Sequence, residues 1–208
     1  MRNEELTATA KLFGRLCLLA IAGFVCISAV FAQAVDDKNE VFEVFKKFSG
    51  VNAVESDFVM KKYVSISETP LESSGKFYFK KPALLNWEYI KPFSYGFTID
   101  KGKTISWQEN NGKRETKDIS SQGFAKALSQ QLYAFISMDK EIISKTYDIK
   151  IFDEGIILQP KNKGERQLVE DIKIYFSKTI PAADKVVIQN KNGDKTEIIF
   201  KNTKTKEE

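Results

Sequence analysis

A chain of 208 residues with 42% apolar residues has room for one hydrophobic core and little more. Its net charge of +4 is scattered along the chain, which gives no basic face for nucleic acid. There is no histidine, and both cysteines, Cys17 and Cys26, lie within the first 32 residues. Beyond that point thiol and Ser-His catalysis, zinc sites and haem ligation are therefore excluded.

The first 32 residues read as a secretory signal. Arg2, Lys11 and Arg15 precede an apolar run over 16–32. Small residues at Val30 and Ala32 predict cleavage after Ala32, leaving one mature domain over 33–208. Two other readings stay open. A retained anchor falls short of the ~20 residues that a spanning helix needs. A lipidated Cys26 would want a small residue before it, where Val25 stands.

A helix is predicted over about 37–49. Val41, Phe42, Val44, Phe45 and Phe48 form one broad stripe, and Gly50 ends it. Asp36 and Asp37 suit its N-terminal end, and Lys46 and Lys47 its C-terminal end. Such a helix either packs on a core or plugs the mouth of a sheet. A strand follows over 54–64 with Phe58 and Met60 inward, then a polar loop over 65–74. Residues 75–89 read GKFYFKKPALLNWEY. Phe77 and Phe79 alternate with lysines and Tyr78, the period of a half-buried strand. Gly75 reads as a strand start and no more. Pro82 interrupts the ladder, and Trp87 and Tyr89 resume the alternation. After Pro92 a third aromatic strand, 95–99, brings in Phe97 and Ile99.

Residues 104–108 form a short strand with Ile105 and Trp107 on one face. Asn110-Asn111-Gly112 is a strong hairpin signal, with a return strand over 114–119. From 122 to 144 the period turns helical, through Phe124, Ala127, Leu128, Leu132 and Phe135. Strands return at 146–152, 155–159, 168–176, 185–189 and 196–201, with a second hairpin signal at Asn192-Gly193. The charged tail over 202–208 is expected to fray. Ten or eleven antiparallel strands in meander order curl instead of staying flat.

Catalytic signals are thin. The paired acids Asp36/Asp37, Asp153/Glu154 and Glu170/Asp171 lie at helix starts, turns or strand edges, where solvated acids are normal. Lys101-Gly102-Lys103 lacks the spacing of a phosphate loop. No enzyme activity, metal or cofactor is predicted. The aromatic supply has two readings. One is an ordinary core. The other is an apolar cavity between a curved sheet and a helical lid. In the second, Phe58, Met60, Phe77 and Phe79 line the cavity with Trp87, Tyr89, Phe97, Ile99, Ile105 and Trp107. Phe45, Phe48, Leu128, Leu132 and Phe135 then belong to the lid. Pattern alone does not separate these readings.

The segments GKFYFKKPALLNWEYIKP, DKGKTISW and GIILQPK resemble the periplasmic outer-membrane lipoprotein carrier (LolA) family. The resemblance is collinear from about Val41 to Lys201. It implies an incomplete, strongly curved antiparallel β-barrel with a helical lid. It also implies a monomeric periplasmic carrier that shields the acyl chains of lipoproteins and hydrolyses nothing. Cargo would arrive from an inner-membrane ATP-driven release complex and leave to an outer-membrane acceptor. By this resemblance Leu85 joins Trp87 in the acyl cavity. Lys81 takes the place of a corner arginine that latches the lid, and Ile136 and Ser137 fall on the lid positions it would meet. Many members continue past the equivalent of Phe200 with a further loop and strand, so this chain reads as a shorter branch or as one lacking the last strand. Related readings are a lipid or glycolipid carrier, or a lipidated or membrane-anchored acceptor or envelope-stress sensor.

Overall fold

A computed structural model describes residues 37–121 and 138–207. Helix α1 spans Asp37–Ser49. Eleven strands follow: β1 Val51–Tyr63, β2 Leu71–Lys80, β3 Leu84–Lys91, β4 Tyr95–Asp100, β5 Lys103–Asn110, β6 Lys113–Asp118, β7 Tyr147–Phe152, β8 Gly155–Pro160, β9 Val169–Phe176, β10 Ala183–Asn190 and β11 Lys195–Glu207. Helix α2, Lys140–Thr146, leads into β7, and a one-turn helix α3, Lys163–Arg166, stands where the sequence reads as plain loop. Asn162 caps α3 by accepting from the Gly164 N–H, a local bond that hydrophobic periodicity does not reveal. Of the predicted helical stretch 122–144, the part over 122–137 lies outside the described residues.

All strands form one antiparallel sheet in the order β6-β5-β4-β3-β2-β1-β11-β10-β9-β8-β7. The described residues are mainly β, at 62% strand, and the sheet is not closed into a barrel. The strand β11 joins the two halves by pairing with β1 on one side and β10 on the other. The charged tail is part of it. Lys204, Thr205 and Lys206 pair with Glu55, Val54 and Ala53, so a tail expected to fray is a paired strand. Its lysines face solvent and its threonines turn to the half-buried face, as in any ladder strand with one wet side. A register shift between Glu55 and Asp57 is pinned by the buried Ser56 hydroxyl, which bonds the Lys201 carbonyl at 2.9 Å and the Thr203 hydroxyl at 2.8 Å.

Turn chemistry explains the hairpins. Lys101 and Gly102, then Asn111 and Gly112, have positive φ at both central positions, as two-residue hairpins require. Both proline corners, Lys81-Pro82 and Lys91-Pro92, have cis peptide bonds.

Because directly paired residues share a face, the register carries an apolar row from β4 to β8. It runs from Ile99 through Leu85 and Phe79 to Val54, and from Trp87 through Phe77. Beyond β1 it continues through Phe58, Phe200 and Ile198 to Val186, Ile174 and Ile156. Two buried clusters form on this inner face. One gathers Phe45 and Phe48 of α1, Ile143 of α2 and the inner residues of β7–β9. The other gathers the aromatic residues of β1–β4.

Candidate functional site

The aromatic half is held by ring contacts. Phe58 lies 4.8 Å from Trp87, centroid to centroid, and 5.2 Å edge-on from Tyr89. Phe77 meets Trp87 at 5.4 Å and Phe200 at 5.8 Å, both edge to face. Tyr89 stacks on Tyr95 at 4.4 Å. Such tilted and edge-on pairs at 4.5–7 Å are favourable beyond their buried area. Gly75, read from sequence as a strand start, sits within β2 opposite Tyr89. A Cβ there would run into the Glu88 carbonyl and the Phe58 ring, so glycine is what lets Phe58 reach its neighbours.

Trp87 is 6% exposed, and its indole N–H is buried without a hydrogen-bond partner among the described residues. Tyr89 is pushed up to about 12, first by burial and then by nearby Tyr95; the Trp87 side chain opposes this only weakly. The Tyr89 hydroxyl donates to the Met60 sulfur at 3.8 Å. Burial in this part of the face thus disfavours the ionised phenolate.

An apolar cavity of about 100 Å³ lies where the two halves meet. Phe48 of α1 forms one wall, with Val54 and Phe77 from β1 and β2, Ile174, Phe176 and Val186 from β9 and β10, and Phe200 from β11. Pro181 and Ala182, between β9 and β10, close one side. Phe48 and Phe176 meet at 4.7 Å. The Ser56–Thr203 pair is the polar notch in the lining, and its bonds are made within the protein. The cavity offers nothing to a polar ligand except contact.

Lys81 donates from Nζ to the Ser49 carbonyl at 2.9 Å. Ser49 ends α1, so the ammonium caps the carbonyl end of the helix that walls the cavity. The family resemblance implies this contact with Ile136 and Ser137. Those two residues, with Leu128, Leu132 and Phe135, lie outside the described residues.

The predicted cavity residues separate into three groups. Phe77 lines the cavity, while Phe58, Phe79, Leu85, Trp87 and Ile99, with Met60, Tyr89 and Phe97 beside them, form the adjoining aromatic cluster. Ile105 and Trp107 require a correction. The register pairs Trp87 with Phe97 and Phe97 with Ser106, which turns Ile105 and Trp107 to the opposite face. There Trp107 lies over Gly96, with the Arg114 guanidinium 3.8 Å above its ring and Glu88 beside Arg114 at 3.7 Å. An apolar alternation marks one face of a strand but not which face, and the two-residue turn at 101–102 sets the register. Sequence reasoning also missed Val54, Val186 and Phe200. Each was legible as an alternating residue, but only the pairing across β11 brings them together.

The described residues thus form an open antiparallel sheet with an apolar inner face and a helix over an apolar pocket. The family model "Outer membrane lipoprotein carrier protein LolA" matches residues 49–208, and the chain belongs to that family. Among solved structures, the chain is similar to the MucA/MucB complex of Pseudomonas aeruginosa, at 12% identity and TM-score 0.47, over 82% of this chain and 57% of that one. It thus spans little over half of that relative's length. It is also similar to a LolA superfamily protein of Nitrosomonas europaea, at 8% identity and TM-score 0.42, over 81% and 94%, and to LprF of Mycobacterium bovis, at 10% identity and TM-score 0.37, over 80% and 93%. No curated protein matches the sequence.

Proposed function

We propose that the chain is an exported carrier that shields the acyl chains of lipoproteins in the periplasm, after removal of residues 1–32. Cargo comes from an inner-membrane ATP-driven release complex and passes to an outer-membrane acceptor. The observation that carries this reading is the apolar lining of the cavity between α1 and the sheet. A concave, almost wholly apolar lining with a single polar notch suits an acyl chain, which needs no specific polar partner. Phe48, Phe77, Val186 and Phe200 contact the acyl chain, the Trp87 cluster forms a firm floor beside it, and Lys81 holds α1 over it. The carrier itself catalyses no reaction.

Native mass spectrometry of the form purified from the envelope tests this. Co-purified lipoprotein or lipid is expected, with Gln33 as the first residue. The hydrophobic dye ANS should bind the native protein and be displaced by acylated peptide. A protein that carries no lipid and binds neither probe would refute the reading.

A further inference from the structure

Among the described residues the open sheet ends at β6. Its sequence, KRETKD, carries a charge at every position except Thr116, and all its residues are exposed. Charge is a common means by which an edge strand refuses a partner strand. In β6 the order of the charges refuses every symmetric register but one.

Hydrogen bonding narrows the registers first. The Ile119 N–H donates to the Thr104 carbonyl at 2.9 Å, in the register that pairs Lys117 with Ser106 and Glu115 with Gln108. Bonding alternates along an antiparallel strand, so Lys113, Glu115 and Lys117 bond to β5. Arg114, Thr116 and Asp118 therefore turn their N–H and C=O groups to the open side. A second β6 can pair only where open-side residues meet open-side residues, and a two-fold axis then sets one residue against its own copy.

Charge does the rest. Centred on Arg114, Glu115, Lys117 or Asp118, the axis opposes a charge to itself. A parallel, in-register pair would oppose every charge to itself. Centred on Thr116, the antiparallel pair sets Arg114 against Asp118 and Glu115 against Lys117, each on both sides of the axis. Opposite charges directly across a pair are favourable, and like charges are not. The N–H and C=O groups of Arg114, Thr116 and Asp118 all find partners in this register. Their side chains keep the capacity to follow. Arg114 and Glu88, like Lys103 and Asp118, stand 3.7 Å apart as exposed pairs, beyond hydrogen-bond distance. Glu115 holds Asn110 and Gln108 on its Oε2 alone.

We propose that β6 pairs antiparallel with β6 of a second copy, across a two-fold axis at Thr116. One sheet then runs through both copies. The cavity is walled by α1, β1, β2 and β9–β11, so pairing at β6 leaves it uncovered, and the inference does not depend on what it carries. Residues 114–118 are few beside the roughly 20–30 residues a side of a stable interface. The dimer is therefore weak, and the dilute chain is the monomer that the family resemblance implies.

Sedimentation velocity of the envelope form, from ~10 μM to ~1 mM, should show association that rises with concentration. Glu115→Lys and Lys117→Glu each set like charges opposite one another on both sides of the axis, and each should weaken association about tenfold. The double variant restores opposite charges and should recover it. Melting curves should show all three variants folded. Paired Cα atoms at the axis lie ~5.5 Å apart, within reach of a disulfide. Thr116→Cys should accordingly crosslink two copies on mild oxidation, with the bridge located by peptide mapping. Lys113→Cys, on the same exposed strand, lies ~20 Å from its copy and should crosslink far more slowly. The proposal is overturned if the wild type stays monomeric throughout, if the double variant fails to recover association, or if Lys113→Cys crosslinks as fast as Thr116→Cys.

Discussion

Ala182→Leu tests the cavity most directly. Ala182 is 5% exposed, and it lines the cavity together with Phe48 and Phe176. Leucine adds three carbons there. At ~0.8 kcal/mol per buried methylene, the most they contribute is about 2.4 kcal/mol. The cavity gives the same figure by another route: about 100 Å³ at ~24 cal/mol per Å³. Strain from imperfect fit subtracts from this, so the expected gain is about 1–2 kcal/mol. Urea unfolding should show a higher midpoint with an unchanged slope, and melting should rise by roughly 2–8 °C. The same variant should lose binding of ANS and of acylated peptide. A stabilised variant that binds acyl chains as well as wild type would show that cargo does not enter here. A loss of more than ~1 kcal/mol would show that the space is not available to a side chain.

Lys81→Met should cost about 0.5–1 kcal/mol and speed hydrogen exchange in the last turn of α1, because the Ser49 carbonyl loses its cationic donor; Lys81→Arg should restore both. Trp87→Ala should cost about 3–5 kcal/mol in urea unfolding, whereas Trp87→Phe should cost under ~2 kcal/mol, since it also removes a buried N–H that has no partner. Equal losses would mean that this N–H is bonded. Tyr89 holds its proton more tightly when folded than the usual value of 10.0, up to about 12, so its contribution is complete below pH 10 and is lost as pH rises from 10 toward 12. The loss is at most about 3 kcal/mol, and Tyr89→Phe should remove it from unfolding curves compared at pH 9 and 11.5.

Much of this fold is legible because strand period and turn chemistry are local. The alternation of Phe77 and Phe79, the prolines at 82 and 92, and the Asn111-Gly112 turn each predict their element from a few residues. What was not legible depends on register. Trp107 and Trp87 look alike in sequence, yet they lie on opposite faces because β5 is set against β4 by the 101–102 turn. The tail over 202–207 looks like solvated charge until β1 supplies its partner strand. The cavity wall needs residues as distant in sequence as Phe48, Phe77, Ile174 and Phe200, and nothing local brings those together. The latch is half legible. Resemblance marks Lys81, but only geometry assigns it the Ser49 carbonyl of α1.

The size of the cavity sets a condition on what can open it. At about 100 Å³ it holds only about three methylene-sized groups, taking ~30 Å³ for each as for a water. A longer chain must move α1, which exposes Phe45 and Phe48, both buried at present. Each costs roughly 1.5–3 kcal/mol to expose, so lifting the helix costs about 3–6 kcal/mol, and breaking the Lys81 bond adds about 1 kcal/mol. An acyl chain returns ~0.8 kcal/mol per buried methylene. About five to nine methylenes therefore balance the opening, and longer chains exceed it. Affinity for single-chain fatty acids should accordingly stay weak up to roughly eight carbons and then rise steeply, by about fourfold per added carbon, in isothermal titration. With Lys81→Met the threshold should fall by one or two carbons. A smooth increase from the shortest chains onward would mean that the helix does not have to move.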